Sequence, residues 1–305
     1  MFKALTTFLI TDQIPSNPEN CQLAAKSESA PVEISATEVI AWASPYGPGH
    51  ESFVSSANGK ILMTVEKSQK LIPAAVLNQT VNEQLSIIRH QENREPSKRE
   101  RAALKEKVLC EMTTKAFTKK QYINICIDAK NSMLLISSTQ KAVVDACLDL
   151  VYKTFPRIEL EAIATEISTA KAMTDWLRQQ ALPHPFTLMH ECELKDTEDN
   201  STIKFKGLDL LSDDVIGHLN PNTQVQKLVL VHDEKMQFTL SADFSVSGIK
   251  YLEYVQNEKA NVFTENMQAE IDADFIVSAD VIAECLNDLI KALGGISVSK
   301  EAELA

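Results

Sequence analysis

The Asn58-Gly59 pair constrains this chain more than any other feature. Both positions accept positive φ, so the pair is the strongest short signal for a tight β-hairpin. β-like runs flank it, Ser52-Phe53-Val54 before and Ile61-Leu62-Met63-Thr64-Val65 after. Pro73 then suits the opening of a helix. Leu77, Val81, Leu85 and Ile88 follow at helical spacing and make one apolar stripe. After a polar break containing Pro96, Ser97-Lys98-Arg99-Glu100 has the form of a capping box. Leu104, Val108 and Met112 mark a second helix, and the pair reads as a helical hairpin.

The rest of the chain continues in the same manner. Residues 2–10 read as a strand. Tyr122–Asp128 and Ser132–Ser137 read as paired strands around Ala129-Lys130-Asn131, and a helix is expected at about 140–154. Leu228–His232 and Met236–Ser241 flank Asp233-Glu234-Lys235 as another hairpin. Ala273–Val277 reads as a strand, and Ala279–Leu293 as a helix stopped by Gly294-Gly295. Residues 155–200 give mixed signals. Hairpins and helices in this order predict an α+β fold of mixed β-sheets with packed helices, not strict βαβ alternation. The 305 residues are enough for about two domains or one elaborate one.

Charge is unevenly spread. The chain carries a net −12, which argues against a simple basic protein that coats DNA. Yet Arg89–Lys120 holds ten basic and five acidic residues, a local excess of five positive charges, so the other 273 residues carry −17. One reading is a solvated helix with internal ion pairs, such as Glu100 with Arg101 and Lys105. The other is a cationic face for the phosphates of a duplex on a body that repels them elsewhere. Lys204-Phe205-Lys206 is a smaller basic cluster that reads equally well as a strand edge kept soluble by lysine.

Other classes find little support. Six cysteines at irregular spacing are not a disulfide scaffold, and buried free thiols are expected. The N-terminus lacks a signal-peptide pattern, and no apolar run reaches 18 residues, so a soluble cytoplasmic protein without membrane contact is expected. No nucleophile triad, phosphate-cradling glycine loop, nucleotide motif, zinc finger or leucine zipper is visible. Asp272 and Asp274, on one face of the expected strand, would be the pair for a metal-dependent nuclease. His190 and Cys192 form an H-x-C that could join a zinc site. Neither pair has a convincing further ligand. Catalysis, bound metal and cofactor are therefore not expected.

The order of short motifs resembles that of the bacterial recombination-associated RdgC family. Phe2-Lys3-Ala4-Leu5 resembles its opening strand and Trp42-Ala43-Ser44-Pro45-Tyr46-Gly47 its turn motif. Ala57-Asn58-Gly59, Lys70-Leu71-Ile72-Pro73 and Lys115-Ala116-Phe117 resemble successive landmarks. Asp272-Ala273-Asp274-Phe275 and Leu289–Gly295 resemble its C-terminal signature. Each motif is short; their order and spacing together are specific.

The resemblance implies a non-enzymatic, sequence-independent DNA binder associated with the nucleoid. It implies a horseshoe-shaped subunit with a helical tip, closed as a ring-shaped homodimer around double-stranded DNA, with single strands left open. It also implies that the ring limits access of the RecA recombinase; a regulator that contacts the recombinase directly is the alternative. The regions would be a centre over 1–73 and 121–170, a basic helical tip over 74–120 and a base over 171–305. Arg94 and Lys115 match basic positions facing DNA. Lys98, Arg99, Arg101, Lys105, Lys119 and Lys120 join them as candidates, with Lys204 and Lys206 at the base. Phe117 matches an aromatic at the tip-to-tip contact, supported by Leu109 and Met112; otherwise it is a core residue after the helix. Gly207-Leu208 stand where the family usually has a Lys-Gln pair, and Pro48-Gly49-His50 where a lysine is missing, which shifts weight to the tip.

Overall fold

The computed structural model describes residues 2–29, 37–261 and 266–297. In chain order the first half runs β1 (Thr6–Asp12), α1 (Pro18–Ser27), β2 (Glu38–Ala43), β3 (Val54–Ala57), β4 (Lys60–Lys70), α2 (Ala74–Glu92), α3 (Lys98–Lys115), β5 (Thr118–Asp128), β6 (Met133–Ile136) and α4 (Lys141–Thr154). The second half runs β7 (Glu159–Ala162), α5 (Thr169–Arg178), β8 (Phe186–Asp196), β9 (Thr202–Lys206), α6 (Asp213–Ile216), β10 (Thr223–His232), β11 (Met236–Ser241), β12 (Val246–Tyr251), α7 (Glu253–Asn261) and α8 (Met267–Ala292). The fold is α+β as expected, but its two sheets are not mixed: every strand pair among the described residues is antiparallel, because neighbouring strands are joined by hairpins or by insertions that return the chain alongside. Sheet 1 has the order β2-β4-β5-β6-β1-β7, with β3 also on β4; sheet 2 has the order β12-β11-β10-β8-β9.

The Asn58-Gly59 hairpin forms as expected between β3 and β4, with both residues at positive φ. Alternation along β4 and β5 then separates two cores. Ile61, Met63 and Val65, with Ile123, Ile125 and Ile127, pack against Cys21 and Ala25 of α1 and Val143, Cys147 and Val151 of α4. Leu62 and Cys126 point the other way, into a core shared with α8 and sheet 2. Helix α8 lies in that second core. Its Phe275, Ala279, Ile282, Leu286 and Leu289, with Leu293 at its C-cap, repeat at intervals of three and four, and Leu228, Leu230, Phe238 and Leu240 share their core from sheet 2. The sheets also touch directly, through backbone hydrogen bonds between Leu5 and Val246.

Polar latches follow the same helix. Asp272 accepts hydrogen bonds from the Tyr46 hydroxyl at 2.7 Å and from Ser55. Asp280 meets Lys60, which is buried, and Asn58 Nδ2 at 3.1 Å. Farther along, Glu284 accepts from Lys235 Nζ at 2.9 Å, and Asp288 lies 3.0 Å from His232 Nε2. The first two acids hold sheet 1 and the last two hold sheet 2.

Several boundaries differ from the sequence reading. Ala273–Val277 is not a strand, because α8 begins at Met267 behind the Asn266 cap and includes it. A short Phe-Ile-Val run has a β look, but it lies inside a 26-residue helix whose buried positions repeat at three and four. Strand β1 starts at Thr6, while Phe2 and Leu5 are buried in the shared core. Strand β5 starts at Thr118, earlier than its apolar run. Residues 155–200 resolve into β7, α5 and β8. Truncating Leu289 to Ala, in the layer common to both sheets, should cost about 2–5 kcal/mol, read as a lower urea midpoint by circular dichroism.

Candidate nucleic-acid interface

Helices α2 and α3 are inserted between β4 and β5, which pair without interruption from Lys60–Asp128 to Lys70–Thr118. The insertion carries a small core of its own, Val81 and Leu85 against Val108, with Leu77, Leu104 and Met112 around them. These are the stripes read from the sequence. Pro73 occupies the N-cap position of α2, just before its first turn. Asn93 ends α2 in the left-handed conformation, which asparagine tolerates. Ser97 opens α3 with a full capping box: its hydroxyl accepts from Glu100 N, and its own N–H donates to Glu100 Oε2 at 2.8 Å. Arg94 grips the same carboxylate with both guanidinium nitrogens and also meets Glu92. That grip, together with the Ser97 bonds, holds the Glu100 carboxyl well below its ordinary range.

The ion pairs divide the candidate cations. Arg89 and Arg101 share Glu95, each at 2.9 Å, so the expected pairing of Glu100 with Arg101 and Lys105 is replaced by pairs across the inter-helix turn. Lys107 is 3.9 Å from Glu111 and Lys120 is 2.8 Å from Glu66. Lys98, Arg99, Lys105, Lys115 and Lys119 are exposed and have no carboxylate partner among the described residues. Lys98 and Lys105 lie two turns apart, within about 20° around α3, with the half-buried Leu109 on the same stripe. Lys119 and Lys120 belong to strand β5, so the basic segment is a helix joined to a strand end and not wholly helical.

Phe117 is 85% exposed, so it is not a core residue. Its backbone carbonyl accepts from Leu71 N at 2.8 Å, which fixes the segment while the ring stands in solvent. Leu71 and Val76, 51% and 46% exposed, are further apolar residues of the tip. A groove of about 380 Å³ opens there between the start of α2 and the end of α3, lined by Leu71, Val108, Met112, Lys115 and others.

The second basic cluster is on β9, the edge of sheet 2. Lys204 and Lys206 meet Glu193 and Glu191 of the neighbouring strand at 3.1 and 3.4 Å. Gly207 follows at positive φ and Leu208 is half exposed. His190 and Cys192 do not converge. A bulge in β8 between Leu188 and Cys192 separates them, His190 facing solvent and Cys192 the core. Burial pushes the Cys192 thiol up to about 11, away from the thiolate a metal needs. Five cysteines are buried as expected, and Cys110 on α3 is exposed.

Asp272 and Asp274 also diverge, because positions two apart on a helix lie about 200° around it. Asp272 is engaged by Tyr46 and Ser55. The turn motif, the Asn-Gly hairpin and the C-terminal signature thus meet at one structural junction. Among the described residues no group of three or more His, Cys, Asp or Glu is placed to hold a metal ion, and no helix is long and apolar enough to cross a membrane.

The family model described as "Putative exonuclease, RdgC" matches residues 1–296. The chain belongs to the RdgC family. The recombination-associated protein RdgC of Yersinia pestis is similar, 29% identical over 255 residues, 83% of this chain and 84% of that protein. The protein of the same name from Shewanella sediminis is 28% identical over 254 residues, with the same coverage. This RdgC-family chain therefore has relatives named for recombination, and its basic tip is the feature to set beside that name.

The tip has a measurable pH signature. A carboxyl with a depressed pKa contributes its full stabilisation above its ordinary value of about 4.3 and loses it progressively as the pH falls from there through the lower, folded value. Amides at 98–112 should therefore stay protected from hydrogen exchange through pH 4 (about the ordinary carboxylate value). Ser97→Ala should cost about 1 kcal/mol and move that loss of protection to higher pH.

Proposed function

We propose that this chain is a non-enzymatic, sequence-independent DNA-binding protein that acts as a ring-shaped homodimer around duplex DNA. The observation that carries the reading is the tip itself. Five cations without carboxylate partners among the described residues stand on a helix and strand end of an otherwise acidic chain, and beside them an 85% exposed Phe117 adjoins an apolar groove. Lysine and arginine contacts to phosphates position a duplex without reading its bases. An exposed phenylalanine costs solvation free energy in a monomer, and a second copy offers a groove for it, so one two-fold contact satisfies both copies. Leu109 and Met112 support that contact.

Closure around a duplex slows escape without strong individual contacts. Such a ring sits on nucleoid DNA in the cytoplasm and limits access of the RecA recombinase by occupying the substrate. The paired cations Arg94, Arg101 and Lys120 contribute less than the five unpaired ones, since a phosphate must compete with a carboxylate already in place. Lys204 and Lys206 are paired likewise and take the secondary role at the base.

Nuclease chemistry is the competing reading, favoured only by the word exonuclease in the family's description. The Asp272 and Asp274 geometry gives it no two-carboxylate site. Incubating supercoiled and linear DNA with Mg²⁺ or Mn²⁺ tests it, and nicking that disappears in Asp274→Asn would establish it. Direct contact with the recombinase would appear as pull-down in the absence of DNA.

Two measurements test the ring. The logarithm of duplex affinity should fall linearly with the logarithm of salt concentration, and Lys98→Gln and Lys105→Gln should each reduce the slope by about 0.9. Arg94→Gln should change the slope less. Phe117→Ser should lower the solution mass to that of a single chain and weaken duplex binding. A salt-insensitive affinity, or a Phe117→Ser protein that stays dimeric with unchanged binding, would sink the proposal.

A further inference from the structure

Beyond the tip helices, the outer half of β5 has an unusual surface. Thr118, Lys119, Lys120, Gln121 and Tyr122 are all exposed, whereas Ile123–Asp128 enters the core. Alternation places Thr118, Lys120 and Tyr122 on one face, where Lys70, Ser68 and Glu66 of β4 stand directly opposite them. Tyr122 is 47% exposed, and no other aromatic ring stacks on it among the described residues. Glu66 organises this face. It accepts from Lys120 Nζ and Ser68 Oγ, each at 2.8 Å, and Tyr122 is its direct cross-strand neighbour. The Lys120–Glu66 pair thus stands beside the ring, and Lys120 neutralises that carboxylate.

We propose that Tyr122, with Lys120 beside it, is a stacking site for an unpaired base of single-stranded nucleic acid. An exposed aromatic flanked by cations on a strand is the chemistry that binds single strands regardless of sequence, because every base offers a π face. A duplex hides those faces in its own stack, so this surface distinguishes strand form, which the phosphate-binding cations of α3 do not. Lys70 lies across from Thr118 on the same face, without a carboxylate partner among the described residues, and extends the path for the backbone. The inference rests on the nucleic-acid-binding reading above and adds to it a residue and a strand form.

The test uses the full chain, oligothymidylate and a duplex of the same length. Tyr122→Leu should weaken oligothymidylate binding about 5- to 150-fold and leave duplex affinity unchanged. Tyr122→Phe keeps the ring and should bind oligothymidylate like the parent. A thermal midpoint equal to the parent's shows that Tyr122→Leu has folded. Unchanged oligothymidylate affinity in Tyr122→Leu, an equal loss for both ligands, or a Tyr122→Phe protein as weak as Tyr122→Leu would overturn the proposal. A parent protein that binds duplex but not oligothymidylate overturns this inference alone; one that binds neither overturns the DNA-binding reading as well.

Discussion

Burial of one long amphipathic helix between two antiparallel sheets holds the molecule together. Helix α8 supplies side chains to a core that sheet 1 closes from one side and sheet 2 from the other. The hydrophobic term is non-directional and would permit sliding. Direction comes from the acids along the helix, which meet Tyr46, Ser55 and Lys60 on sheet 1 and Lys235 and His232 on sheet 2. Lys60 illustrates the stakes. Its side chain is buried and its ammonium reaches the part-exposed Asp280, so removing that acid would leave a largely buried cation without its ion-pair partner.

That clamp lets β4 and β5 outrun the core. Their inner halves are fixed by packing on both faces; beyond these, β4 is half-buried with β2 still paired beside it, the outer end of β5 is exposed, and the two strands lead into the α2–α3 hairpin. The hairpin has a core of only a few residues, so local chemistry carries much of its order: the capping box at Ser97, the left-handed Asn93 and the paired arginines at the turn. These ion pairs are exposed and individually weak. Their effect is to set which cations remain available, leaving Lys98, Arg99, Lys105, Lys115 and Lys119 while committing Arg89, Arg94 and Arg101. Charge is thus segregated, basic across the hairpin and acidic over the rest of the chain.

Much of this was legible in the chain itself. The Asn-Gly hairpin, the stripes of α2 and α3, the capping box and the charge segregation are local patterns, and local patterns survive into the fold because they depend on neighbours within a few residues. The motifs that resemble the RdgC family were legible in order, but their common purpose was not. Tyr46, Asn58 and Asp272 are distant in sequence and meet only where sheet 1 docks on α8. The ion pairs of the tip were misread for the same reason: Glu100 is taken by Arg94 across the turn and not by a residue of its own helix.

Sequence alone thus determined the α+β class, the helical hairpin and the place of its positive charge, since periodicity, capping and composition are encoded residue by residue. Tertiary structure decided that Phe-Ile-Val at 275–277 is helix, that Phe117 faces solvent and not the core, and which lysines pair with a carboxylate. Those outcomes depend on what is packed against each segment. Burial and pairing are properties of surroundings, and surroundings exist only once distant parts of the chain have come together.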